Sequence, residues 1–170
     1  IRRGAVEHVV EATQALSAVL AEIKKLSRST VKNLIVAVGT SEMKVLHSKG
    51  VVAVSRADDE IFQDDISRVI QSSQAINIPA NRMVLHSFIK EFIVDGIDNI
   101  RDPLGMVGKR LEVNMLMIDA FAPSIKNITK CLETLGAHAS ETVLSPLAAA
   151  ASVLTKQQKE LGVVLIDIGF

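Results

Sequence analysis

Asp167 and Gly169 follow the apolar run Val163-Val-Leu-Ile166 and carry the most suggestive chemistry in this sequence. An apolar run without polar alternation reads as a strand buried on both faces. Just past such a strand's carboxyl end, Asp-x-Gly can bring a metal-orienting carboxylate and free backbone amides to a phosphate. The same residues also end an ordinary strand in a tight turn, and the pattern alone does not separate the two readings. A buried strand with nothing after it reads as part of a longer chain. The opening Ile1-Arg-Arg-Gly4, which lacks Met, reads the same way.

Other candidate groups point to bland roles. The one cysteine, Cys131, falls inside an expected helix, seven residues before His138 and in a different element from it. A lone thiol makes no internal disulfide and needs a base beside it to act as a nucleophile, so a buried, inert Cys131 is expected. His8, His47, His86 and His138 are scattered without paired ligand spacing. Asp58-Asp-Glu60 and Asp64-Asp65 lack the alternation of a calcium loop. They read as a solvated loop and as a helix start, where the dipole favours negative charge. The Arg101-Asp102 pair either meets a partner or fixes a turn through Asp102 and Pro103.

Composition excludes several function classes. Nineteen basic residues balance nineteen acidic ones in 170, and no long run of one sign occurs, so no nucleic-acid footprint is expected. Aromatic content is 3%, without Trp or Tyr, which leaves little for base or sugar stacking. The 48% hydrophobic content builds a core from Val, Ile, Leu, Ala and Met. No uninterrupted apolar stretch reaches the length of about 18 residues that a bilayer span needs.

These groups need elements to position them. Residues 5–27 show helical spacing and would run about 34 Å, enough to lie across a sheet. Leu34–Val38 reads as a short buried strand closed by Gly39. Ser41–Ser55 reads as a hairpin turning at Ser48-Lys-Gly50. Residues 63–75 form an amphipathic helix with Ile66, Val69 and Ile70 inward. Residues 82–95 form a strand, 96–108 a loop, and 109–119 a half-buried antiparallel strand. Pro123 opens a helix that Gly136 stops. Residues 138–145 form a strand, 146–154 an Ala-rich helix, and 155–160 a polar turn before the last strand. A buried strand on each side of the 40–137 block suggests one sheet interrupted by an insertion. The fold class is therefore α/β with an α+β insertion.

An inserted small sheet has edges, and an exposed edge accepts another strand. Met43, Val45, Val51 and Val54 are the contact candidates there. Their spacing does not separate edge from core.

Several stretches resemble the FtsA family of bacterial cell-division proteins. They are Ile100-Arg-Asp-Pro-Leu-Gly-Met-Val-Gly-Lys-Arg-Leu-Glu112, Glu91-Phe-Ile-Val-Asp-Gly96, Gly50-Val-Val-Ala-Val54 and Gly4 to Thr13. Asn127 with Cys131, Gly136, Leu144 with Ala148, and Leu154 through Gly169 also fit. The likeness covers essentially the whole chain. The 91–112 block is specific, whereas the Asp-x-Gly end is shared across actin-like ATPases.

The resemblance implies a partial actin-like (ribonuclease-H-like) subdomain, residues 1–39 and 138–170. A small strand-helix-strand-strand-helix subdomain, residues 40–137, would interrupt it. It implies an adaptor that polymerises, links FtsZ to the cytoplasmic membrane and recruits later division proteins such as FtsN. FtsZ would bind, and a C-terminal amphipathic helix would tether the membrane, through parts outside this chain. It places the protein at the inner face of the membrane at the septum. ATP with Mg²⁺ would bind the longer parent, with weak turnover or none, using Asp167 and Gly169 in the second phosphate loop and Asp167 orienting the metal indirectly. Neither cofactor is expected on these residues alone. Two other classes compete: an actin-like ATPase enzyme proper, and an actin-like scaffold of pilus assembly. Three positions depart from the family pattern. Phe170 stands where the family usually has Gly, Ile89 where it often has Pro, and Phe62 where a Ser or Thr cap is usual.

Overall fold

The structure is a computed structural model and describes residues 6, 8–26, 32–39 and 42–168. The chain divides into two compact units: Ile1–Met43 with Ala120–Phe170, and Lys44–Asp119.

In the first unit α1 spans Val9–Leu26 and β1 spans Leu34–Val38. After the second unit come α3 (Ala122–Thr134), β6 (Ala139–Leu144), α4 (Ser145–Val153) and α5 (Lys156–Leu161). β1 and β6 pair in parallel, with Ile35 opposite Glu141 and Val38 opposite Leu144. Leu20 of α1 packs with Leu132 of α3 and with Ala137, while Leu16, Ile23, Leu34 and Val36 close around them. A neighbouring cluster holds Val6, Ala12 and the fully buried Cys131. The reading of 40–137 as one insertion therefore changes at its far end. α3 buries its apolar face against α1, so it belongs to the first unit and not to the small one.

Pro123 lies in the first turn of α3, where its missing N–H costs nothing. Gly136 takes a φ of +70° just past its end, as the glycine stop predicts. The expected polar turn at 155–160 is instead the short helix α5. Thr155 caps it, accepting the Gln158 N–H at 3.2 Å, while Gln158 Oε1 accepts the Thr155 N–H at 2.9 Å.

The second unit runs β2 (Lys44–Ala53), α2 (Gln63–Gln74), β3 (Arg82–Val94), β4 (Ile97–Ile100) and β5 (Arg110–Phe121), the last ending just past the unit's boundary. Its four-stranded sheet has the order β2-β5-β3-β4. The core joins Ile66 and Val69 of α2 to Leu111, Val113 and Met115 of β5 and Phe92 and Val94 of β3, with Val54 and Ile61 beside them.

Three expectations change here. The hairpin at 41–55 is one unbroken strand, β2, paired with β5 from Lys44↔Asp119 to Ala53↔Arg110. Gly50 is a close-approach glycine and not a turn glycine. A Cβ there would stand 2.2 Å from the Val69 carbonyl oxygen and 2.8 Å from the Ser73 nitrogen, so α2 crosses directly over it. The loop expected at 96–108 begins with β4, which folds back on β3 through Asp95 and Gly96, both at positive φ. β5 is buried on both faces along most of its length because it is a central strand, so its alternation understates its burial.

Phe62 is the residue before α2, in extended conformation, despite having no capping oxygen. Asp65 supplies half of a capping box by accepting the Phe62 N–H at 3.0 Å. That hydrogen bond, and then Arg68, hold the Asp65 carboxyl below the usual carboxylate range. Arg56 approaches Asp65 at 3.7 Å and stacks over the Phe62 ring at 4.0 Å. Asp65→Ala removes the cap and both arginine pairings at once. It should lower stability by about 2 kcal/mol, from the lost cap and the buried charge-assisted bonds. The shift of the urea midpoint, followed by far-ultraviolet circular dichroism, checks this value.

Candidate interaction surface

β2 lies at the end of the strand order, so its side away from β5 has no ladder partner among the described residues. Strand alternation then sorts its side chains. Leu46, Ser48, Gly50 and Val52 face inward. The Ser48 hydroxyl donates to the Ser73 carbonyl, and Ser73 Oγ lies 2.6 Å from Met115 Sδ, which ties α2 to both β2 and β5. Val45, His47, Lys49 and Val51 are exposed, with Val45 at 56% and Val51 at 43%. Exposed β-branched side chains on a long, unprotected strand edge are the groups that strand addition buries.

Of the contact candidates, Val45 and Val51 therefore lie on this exposed edge. Met43 is half-buried, immediately before β2. Val54 is a correction: at 6% exposure it belongs to the core, because the chain turns inward after Ala53 toward Ile61 and Leu111.

A cavity of about 220 Å³ lies against the middle of the strand, lined by His47, Ser48, Lys49, Lys90, Asn114 and Met115. Lys49 forms an ion pair with Glu112, whose second oxygen lies 3.0 Å from Arg110 Nε. One buried carboxylate thus serves two cations. Glu91 accepts from Asn114 Nδ2 at 2.8 Å and from the Asn99 N–H at 3.2 Å. The first of these bonds is the main reason its carboxyl sits below the usual range. His47, Lys49 and Lys90 did not emerge as a group from the sequence, because the supposed turn at Ser48–Gly50 hid the strand that His47 and Lys49 share, and Lys90 lies on β3. Val45-Leu46 and Val51-Val52 are adjacent apolar pairs, so 44–53 shows no clean alternation that would have marked the strand's two faces.

Arg101 and Asp102 are both exposed on the loop between β4 and β5. Asp102 fixes the turn, since its Oδ1 accepts the Leu104 N–H at 3.1 Å. Pro103 beneath it is fully buried. The loop is then tied down throughout. Ile61 donates its N–H to the Met106 carbonyl at 2.8 Å, Gly105 to Ile61 at 2.9 Å, and Gly108 to Asp59 at 2.8 Å. Asp95 accepts the backbone N–H groups of Lys109 and Arg110 at 2.9–3.1 Å. The specific 91–112 pattern is thus largely the recipe for one rigid loop.

Asp167 is exposed, and Gly169 and Phe170 lie outside the described residues. The expected last strand is not formed: 163–168 has no ladder partner among the described residues and stands exposed, with Ile166 at 76%. An apolar strand is buried when neighbours pair with its edges and cover its faces, and among the described residues none pairs with 163–168. Among the described residues no set of three His, Cys, Asp or Glu side chains could hold a metal ion. No helix of the described residues is long and apolar enough to cross a membrane.

A family model for the SHS2 domain inserted in FtsA matches residues 40–119, which include the whole small unit, Lys44–Asp119. A cell division protein FtsA from Pseudomonas aeruginosa is 33% identical over 99% of this chain, and one from Borreliella burgdorferi is 34% identical over 99%. The chain is similar to FtsA proteins along essentially its whole length and carries the stretch that matches their inserted domain. It spans about 40% of the length of those relatives, 40% of the first and 41% of the second. Among solved structures, a PilM-PilN type IV pilus biogenesis complex superposes with a TM-score of 0.54 at 12% identity. That match covers 89% of this chain and 38% of the other and speaks to fold alone. The fold class is mixed α/β, actin-like and interrupted by the FtsA-type insertion.

Proposed function

We propose that this chain serves cell division as the docking part of an adaptor, with the small unit receiving neighbouring copies or other division proteins along the β2 edge. The observation that carries the reading is the free edge of β2 with Val45 and Val51 exposed on it. The FtsA relatives supply the division context. In this reading the longer protein links FtsZ to the inner face of the cytoplasmic membrane at the septum and recruits later proteins such as FtsN. ATP with Mg²⁺ is a conformational ligand there, to which this chain contributes Asp167 and Gly169.

The test is Val45→Glu with Val51→Glu in the full-length protein. Both side chains are exposed, so the melting temperature should stay within about 2 °C, as for surface substitutions. Sedimentable assemblies on lipid vesicles should fall at least about tenfold, since two buried apolar contacts per interface are replaced by charges. Unchanged assembly with unchanged division in cells would refute the reading.

A further inference from the structure

The chemistry beside the β2 edge also restricts what can dock there. Four exposed side chains share one face of the strand in the order Val45, His47, Lys49, Val51. The outer two are apolar and the inner two basic or titratable. The cavity at the strand's middle adds Lys90 from β3, and no carboxylate lines it. The carboxylates nearby are Glu112, shared by Lys49 and Arg110, and Glu91, which Asn114 and the Asn99 N–H hold in its charged form near Lys90. Lys49, Arg110 and Lys90 thus face two carboxylates, Glu112 and Glu91, and the patch keeps an excess of positive charge.

The geometry points to an acidic extended peptide segment as the occupant of this edge. It would add antiparallel to β2, carrying apolar residues opposite Val45 and Val51 and carboxylates opposite Lys49 and His47. Its pattern on one face is therefore apolar, acidic, acidic, apolar at every second residue. Main-chain hydrogen bonds along β2 supply affinity without sequence preference. Opposite charges directly across the ladder supply the choice, and like charges there are unfavourable. That argues against a second copy of the same strand. Antiparallel pairing about Ser48 would bring Val45 to Val51 but would place His47 against Lys49 of the partner and gather the lysines at the centre. The inference rests on strand addition at β2, as proposed above, and adds the partner's chemistry.

The experiment titrates the full chain with three synthetic peptides while following the backbone amides of β2 by NMR. One reads Val-Thr-Glu-Thr-Glu-Thr-Val, one has both Glu replaced by Lys, and one has both replaced by Ser. The acidic peptide should bind at least about tenfold more tightly than the basic one, with the serine peptide between them, as two reversed cross-strand pairs imply. Lys49→Glu should invert that order, and Lys90→Glu should weaken the preference in the same direction should the first variant fold poorly. Equal binding of all three peptides would overturn the charge inference and leave the docking edge standing. No β2 shift with any peptide would overturn both. Protection of β2 that grows with protein concentration alone would assign the edge to a second copy and overturn the acidic partner.

Discussion

Gly50→Val will unfold the small unit, with a loss of about 3 kcal/mol or more, the upper end of what overpacking costs. The reason is the identity of the obstructing atoms. A Cβ at Gly50 meets the Val69 carbonyl oxygen at 2.2 Å and the Ser73 nitrogen at 2.8 Å, both backbone atoms of α2. Backbone in mid-helix cannot swing aside as a side chain can, so the helix must lift from the sheet. Lifting it would expose Val69 and break the bond from the Ser48 hydroxyl to the Ser73 carbonyl. Two other glycines serve as controls. At Gly108 the added Cβ meets Val94 Cγ1 at 2.3 Å, a side-chain atom, though in the core. At Gly96 it meets nothing within 4 Å and only the φ of +88° resists. Gly96→Ala should therefore cost only about 1–2 kcal/mol, the penalty for a left-handed L-residue. With no Trp or Tyr in the chain, far-ultraviolet circular dichroism against urea is the natural measurement. If Gly50→Val is milder than Gly96→Ala, α2 does not cross over Gly50.

Asp119→Ala will destabilise the small unit by about 3–5 kcal/mol, the cost of breaking a buried ion pair from one side. Asp119 is 1% exposed, and the side chain of Arg82 is 11% exposed. Arg82 Nε donates to Asp119 Oδ2 at 2.8 Å, and the guanidinium donates to Oδ1 as well, a two-pronged grip that ties the start of β3 to the end of β5. The double replacement Arg82→Met with Asp119→Leu should recover most of the loss, because no buried charge is then left over.

The same pair sets an acid limit. Arg82 holds the Asp119 carboxyl below its ordinary range, chiefly through the hydrogen bond. A depressed folded-state pKa means the pair's stabilisation is fully present above the unfolded value of about 3.9. It disappears as pH falls from there through the folded value. Wild type and Asp119→Asn should therefore differ most at pH 5 and above, and converge as pH is lowered from about 4 toward 2. Parallel stability curves over that range would remove Asp119 as the titrating group.

Legibility in the sequence followed the strength of each local signal. α2 showed because Ile66, Val69 and Ile70 recur on one face, and α3 because Pro123 and Gly136 bracket it. β1, β6 and α4 fell within a residue or two of where their patterns put them. Gly50 misled because a glycine beside Ser and Lys reads as a turn. Only the helix lying over it, a tertiary fact, explains the residue. α5 was hidden by its shortness, although Thr155 with Gln158 is a capping box. The boundary of the small unit was missed because α3 continues directly from β5, and its partner α1 lies more than a hundred residues earlier. Of the contact surface, Val45 and Val51 stood among the candidates, but their spacing did not separate edge from core, and only the pairing of β2 with β5 does. Val54 was misassigned, because the turn inward after Ala53 depends on Ile61 and Leu111. The cationic cavity joins three strands and had no linear signature at all.

The central claim is that β2 is the docking strand of the small unit. Hydrogen exchange of the backbone amides of Lys44–Ala53, measured on the full-length protein free and assembled on vesicles, tests it most directly. The account predicts that alternate amides of β2, those pointing away from β5, become protected on assembly while those bonded to β5 stay as they were. Assembly that leaves every β2 amide exchanging at its free rate would contradict it.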